Sequence, residues 1–201
     1  MGKIIVIAGL SGAGKTTLVN SISKSLKHAN INFKVVNVGT LMEDIGIKNK
    51  YIKHRDQIKK IDVKLGSNLR ELAYSKISKL RENVLLDTHI TIENESESRF
   101  VSGLPSKTLK YLRNVAALVY INAPSEDIIK RRNTDKSRNR EKQDAFSLDI
   151  QRIVDISALA YYSSYFNIPI YIIENKNRTL EKSIDDLNRS IVNILTPASS
   201  L

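Results

Sequence analysis

The sequence predicts an α/β fold, a parallel sheet with helices on both faces, and three patterns point there. Short β-rich apolar runs alternate with amphipathic helical stretches, an order that favours parallel strands joined by right-handed crossovers. A glycine-rich turn, Gly9-Leu10-Ser11-Gly12-Ala13-Gly14-Lys15-Thr16-Thr17, joins the first such run to the first helix. Gly9, Gly39, Asp87 and the turn after Asn122 all fall beyond the carboxyl ends of predicted strands, where open parallel sheets take their ligands.

Taken in order, residues 3–8 are an apolar first strand, and Leu18, Val19, Ile22 and Leu26 mark one face of a helix running to about residue 27. Residues 33–37 read as a second strand, and Gly39-Thr40-Leu41-Met42 open a short helical segment. A basic stretch at 48–55 precedes a long amphipathic helix over 56–80, with Ile58, Ile61, Leu65, Leu69, Leu72, Ile77 and Leu80 at helical spacing. Residues 84–87 form a third strand ending in a carboxylate. Residues 88–105 are a long polar connection without apolar periodicity, functional or mobile. Residues 115–122 give the fourth strand, 125–132 a helix capped by Ser125, 168–174 the fifth strand and 179–195 the last helix. Between them, 131–142 is a charged tract and 146–166 a helix apolar around much of its girth. There is no repeat or linker, so a single domain over 1–201 is expected, with an acceptor-binding region near 38–80 and a lid near 131–143.

The chain has 201 residues, no cysteine and a formal charge of +11. Disulfides, thiolate metal sites and cysteine nucleophiles are excluded, and a reducing cytoplasm suits such a chain. No apolar run is long enough to cross a bilayer, and the apolar start reads as a strand rather than an export signal. The positive charge asks for anionic partners: nucleic acid, acidic lipid or polyphosphate substrates.

The glycine turn fits the phosphate-binding loop pattern, with strand before and helix after. Gly9, Gly12 and Gly14 open backbone conformations that let successive amides face a phosphate, and the helix adds its positive end. Lys15 brings charge to the β- and γ-phosphates, and the Thr16 hydroxyl is placed for Mg²⁺. Asp87, at a strand end, suits the same ion; the alternative is a turn cap. The arginines of 130–140 suit a lid over the phosphoryl group in flight, or else a solvated basic loop. Gly39, Thr40, Arg55 and Asp56 lie where a second phosphate-bearing substrate would sit in line, although Arg55 could equally lie on a helix surface.

With these residues in view the chain resembles the archaeal-type adenylate kinases. The likeness rests on the glycine loop, Asn-x-Gly-Thr-x-Met at 37–42, Arg55-Asp56, Asp87-Thr88-His89, Gly103-Leu104-Pro105 and Arg138-Asn139-Arg140. The resemblance implies conversion of ATP and AMP into two ADP with Mg²⁺, a short lid and a homotrimer. It implies that Lys15 and residues 9–17 hold ATP and that Thr16 and Asp87 position Mg²⁺. Thr40 and Arg55 would face AMP, and Arg131, Arg138 and Arg140 would close over the transferred group. His89 would be structural. One departure stands out: the family pattern leads to an arginine facing the monophosphate where Glu93 stands here, with Arg99 as a substitute.

A trimer also has a physical motive. The 146–166 helix carries Phe146, Ile150, Ile153, Val154, Leu159, Tyr161, Tyr162, Tyr165 and Phe166 around more than one face, a surplus for another subunit or for deep burial. Rival readings are an adenylylsulfate-type kinase, an NTP switch and an ATP-dependent RNA-binding factor. Nucleic acid is the weaker partner because Tyr51 is the only aromatic in either basic tract, too few for a stacking surface.

Overall fold

Ile4–Ala8, apolar at every position, form the innermost strand β1, and every residue in it is buried. A strand covered on both faces needs apolar side chains pointing both ways, and this run supplies them. The computed structural model describes residues 2–53, 63–94, 99–135 and 143–196. From β1 the chain passes into α1 (Lys15–His28), β2 (Phe33–Asn37), α2 (Val38–Lys48) and α3 (Val63–Ile77). Next come β3 (Asn83–Asp87), two short strands β4 (Thr91–Asn94) and β5 (Arg99–Ser102), and the one-turn helix α4 (Ser106–Leu109). The remainder is β6 (Val115–Asn122), α5 (Ser125–Thr134), α6 (Ala145–Phe166), β7 (Ile170–Glu174) and α7 (Leu180–Leu195).

Five strands form one parallel sheet in the order β2-β3-β1-β6-β7. Alternate residues of β1 serve opposite faces, as the period of a strand requires. Ile4, Val6 and Ala8 join Met42, Ile45, Leu69, Tyr74 and Tyr162 from α2, α3 and α6. Ile5 and Ile7 join Leu18, Ile22, Leu187 and Ile191 from α1 and α7. The α/β sandwich expected from the sequence is therefore the fold observed. Register then sets the chemistry: Asp87 pairs with Ile7 on one side and with Asn37 on the other, at the carboxyl edge of the sheet. Among the described residues no helix is long and apolar enough to cross a membrane.

Three local expectations change. Residues 88–105 are not all irregular: β4 and β5 pair antiparallel, Thr91 with Ser102 through to Asn94 with Arg99. Strands of four residues are too short to show a period-two pattern. The hairpin closes at Gly103, whose N–H donates to the Ile90 carbonyl at 2.8 Å. A Cβ on Gly103 would stand 2.0 Å from the His89 carbonyl oxygen, so the backbones meet only because there is no side chain.

Ser125 does not cap α5. Pro124, in extended backbone, takes the cap position, and Ser125 is already helical, its hydroxyl donating to Asp149 Oδ1 at 2.7 Å. The buried stripe of α3 is Leu69, Ala73, Tyr74 and Ile77, whereas Leu72 faces solvent. Ile58, Ile61 and Asp56 lie outside the described residues. On α6, Leu148, Leu159 and Tyr162 point inward, while Phe146, Ile153, Tyr161 and Tyr165 remain exposed, so burial within one subunit does not absorb the surplus.

Gly103→Ala should push the β4–β5 hairpin away from the His89 carbonyl. A loss of roughly 1–3 kcal/mol in unfolding free energy is expected from such overpacking, read from urea denaturation.

Candidate active site at the carboxyl edge of the sheet

The glycine loop is built against its own backbone limits. Gly9, Gly12 and Gly14 all have positive φ, at 147°, 89° and 96°. A Cβ on Gly14 would meet Asn175 Nδ2 at 2.2 Å, so glycine is required there for space as well as for angle. The loop is gripped from outside by side chains that take its carbonyls. Asn175 donates to Ala13 O at 2.7 Å, Arg131 Nη1 to the same oxygen at 3.2 Å, and Arg132 Nε to Ser11 O at 2.9 Å. Lys15 is buried, its ammonium donating to Gly9 O at 2.7 Å and to Leu10 O at 3.2 Å. Thr16 and Thr17 open α1, exposed along the cleft wall.

Asp87 stands at the foot of the cleft and is 6% exposed. Its Oδ2 accepts from Asn37 Nδ2 at 2.8 Å. Its Oδ1 is buried and takes no hydrogen bond. A buried carboxylate oxygen without a donor and a threonine hydroxyl, lining the same cleft, are hard oxygens of the kind Mg²⁺ takes. Among the described residues no cluster of three or more His, Cys, Asp or Glu offers a full protein cage. The residues present nonetheless fit Mg²⁺.

Asn37 does double duty, because its Oδ1 accepts from Thr40 N at 2.9 Å and caps α2. One side chain thus joins the start of α2 to the Asp87 carboxylate. The cleft has a volume of about 440 Å³. Ser11, Gly12, Gly14, Lys15, Thr16 and Thr17 form one wall, and Asn37, Gly39, Met42, Arg70, Thr88, Ile92 and Gly103 the other. His89 Nδ1 lies 3.2 Å from Gly9 O, bracing the loop as a structural residue would.

The expected residues come together unevenly. Gly9 to Thr17, Thr40, Asp87 and Arg131 gather at this edge. Arg131 is engaged there, donating through Nη2 to Asn175 O at 2.8 Å and to Asn177 Oδ1 at 3.0 Å. Arg99 lies on β5 at the end of the hairpin opposite Gly103, and its side chain and that of Glu93 are outside the described residues. Arg55, Arg138 and Arg140 are outside them as well.

Arg70 and Asn175 have no part in the site expected from the sequence, whereas Asn37 enters there only as a position of the 37–42 motif and Arg132 only as one of the 130–140 arginines. Arg70 left a signal, standing on the helical stripe that continues through Ala73, Tyr74 and Ile77.

A second polar group lies beneath the site. Asp155, 1% exposed, accepts from Thr91 Oγ1 at 2.5 Å and from Tyr120 OH at 3.1 Å, while Gln151 Nε2 donates to Thr91 O at 3.2 Å. Burial pushes the Asp155 carboxyl up to about 6, against the pull of Thr91, Tyr120 and the Lys15 charge. Burial first, and the Asp155 charge second, push Tyr120 well above its ordinary value. The sequence signal was a carboxylate on the inward stripe of α6, one turn from Gln151 and Leu159.

A raised carboxyl pKa means the native state holds its proton longer than the unfolded chain. The destabilisation is absent below the ordinary aspartate value and complete above the native one. Native protein should lose about 3 kcal/mol relative to Asp155→Asn between pH ~4 and ~7, measured as the difference between their unfolding free energies across that range.

A glycine loop and a strand-end carboxylate facing one cleft at the edge of a parallel sheet are the arrangement of a P-loop kinase. Residues 8–149 match the family model described as an AAA domain. The adenylate kinase of Methanocaldococcus jannaschii is 30% identical over 187 residues, 92% of this chain and 96% of its own. That of Thermoplasma acidophilum is 31% identical over 186 residues, 92% and 97% of the two chains. The chain belongs to that domain family and to the adenylate kinases, which makes it a nucleoside monophosphate kinase. In fold it is similar to shikimate kinase from Acinetobacter baumannii in complex with shikimate, at a TM-score of 0.57 and 17% identity, covering 96% of this chain and 94% of that one. Shikimate kinase from Bacteroides thetaiotaomicron aligns at a TM-score of 0.55 and 16% identity, covering 94% and 98%.

Proposed function

We propose that the chain transfers a phosphoryl group reversibly from ATP to AMP, giving two ADP, with Mg²⁺ beside the nucleotide phosphates. The observation that carries this reading is the two-walled cleft, with Asp87 at the foot of both walls. A switch or motor needs only the glycine-loop wall. A transferase needs room for an acceptor opposite it.

In this reading the amides of residues 9–17 and the positive end of α1 hold the β- and γ-phosphates. Lys15 exchanges its two carbonyl partners for phosphate oxygens. Thr16 and Asp87 hold Mg²⁺, which when bound neutralises phosphate charge. Thr40 and Arg55 face AMP, with Arg99 joining from the hairpin, and Arg131, Arg138 and Arg140 close over the transferred group. No general base is required, because this chemistry rests on alignment and charge stabilisation.

Exposed Phe146, Ile153, Tyr161 and Tyr165 on α6 support assembly as a homotrimer, and the absence of cysteine supports a cytoplasmic setting.

ADP formation from ATP should be strongest with AMP when AMP, CMP, UMP and GMP are compared, and should stop with EDTA. Lys15→Ala should abolish it. Asp87→Asn should raise the Mg²⁺ concentration for half-maximal rate by roughly 10- to 100-fold. ATP turnover indifferent to every monophosphate would overturn the assignment. On the oligomer, Phe146→Asp with Ile153→Asp should convert a trimer to monomers in sedimentation velocity.

A further inference from the structure

Among the described residues, one charge lining the cleft has no protein anion beside it. Arg70, on α3, lines the cleft on the side of Asn37, Gly39 and Thr88. It stands one turn before Tyr74, whose hydroxyl lies 3.5 Å from Thr88 Oγ1 and 3.4 Å from Gly103 O. Among the described residues Arg70 makes no hydrogen bond and no ion pair. The other cations of the cleft differ: Lys15 donates to two loop carbonyls, and Arg131 to Ala13, Asn175 and Asn177. Burial holds the Arg70 guanidinium below the usual arginine value, with the nearby Tyr74 acting the other way. It stays protonated at neutral pH.

A partly desolvated guanidinium without a protein anion is unfavourable, and an incoming anion reverses that. Two features say which anion. The planar fork of arginine fits two oxygens of one phosphate. The first turn of α2, at Val38 and Gly39, opens on the same wall and adds the positive end of a helix. We propose that Arg70 binds the phosphomonoester of the acceptor nucleotide, supplying the guanidinium that the family pattern places where this chain has Glu93. The assignment rests on the kinase reading above. Arg99 is less well placed, since β5 carries its backbone about 13 Å along the hairpin from the cleft-lining end at Gly103, four residues at roughly 3.3 Å each.

The test is steady-state kinetics of the full chain with ATP and AMP varied separately, on native protein, Arg70→Gln and Arg70→Lys, with calorimetric titration of AMP alone. Loss of a charge-assisted phosphate contact should raise the AMP KM of Arg70→Gln roughly 10- to 100-fold and leave that of ATP within about twofold. Arg70→Lys keeps the charge without the fork and should fall between the two. An AMP KM within about twofold of native in Arg70→Gln, or equal rises for ATP and AMP, overturns the assignment. If Arg70→Gln does not fold, Arg70→Lys decides alone, and an unchanged AMP KM there overturns it. Native protein with no AMP-dependent ADP formation would sink the kinase reading and this one together. Normal native activity with an indifferent Arg70→Gln sinks only this one.

Discussion

The hydrogen bond from Asn37 to Asp87 is the joint on which the cleft depends. Parallel register makes it, since β2 and β3 end level and place the two side chains next to each other. It orients the carboxylate so that one oxygen is spent on the amide while the other takes no hydrogen bond among the described residues. The same asparagine caps α2, so the start of that helix is fixed to the carboxylate at the end of β3. Phosphoryl transfer between two nucleotides needs both to lie in line, and a shared anchor for the two sides is a direct way to hold that alignment.

The glycine loop is held by side chains from far along the chain. Arg131 and Arg132 reach it from α5, and Asn175 from just beyond β7. These contacts take carbonyl oxygens, so the loop keeps its curvature through bonds that do not compete with phosphate for its amides. Arg131 thereby connects the root of the expected lid to the cradle, and a movement of α5 is felt at Ala13. Beneath, Asp155 ties α6 to β4 and β6 close to Lys15, placing a titratable carboxyl under the most charged point of the site.

Much of this was legible in the sequence, for identifiable reasons. The five strands and the helices between them carry strong apolar patterns, and the spacing of Gly9, Gly12, Gly14, Lys15 and Thr16 is specific enough to give loop, strand and helix together. The β4–β5 hairpin was not legible, because four-residue strands show no period and their pairing is specified by contacts such as Thr91 with Asp155. Ser125 misled because a serine before a helix usually caps it, whereas Pro124 had already taken that position. Arg70, Asn175 and Asp155 were overlooked because each is a polar residue whose meaning comes from what packs beside it. Arginine and aspartate on buried stripes are nevertheless a readable anomaly, and both mark the neighbourhood of the cleft.

The seat of Asn175 against Gly14 ties the two ends of the site together: one clamp of the loop comes from 162 positions beyond Ala13, and the amide of Asn175 occupies the space that the missing Gly14 side chain leaves open. That clamp is delivered by the residue just beyond β7, the last strand of the sheet. A turn written in nine consecutive residues thus takes part of its shape from the far edge of the sheet.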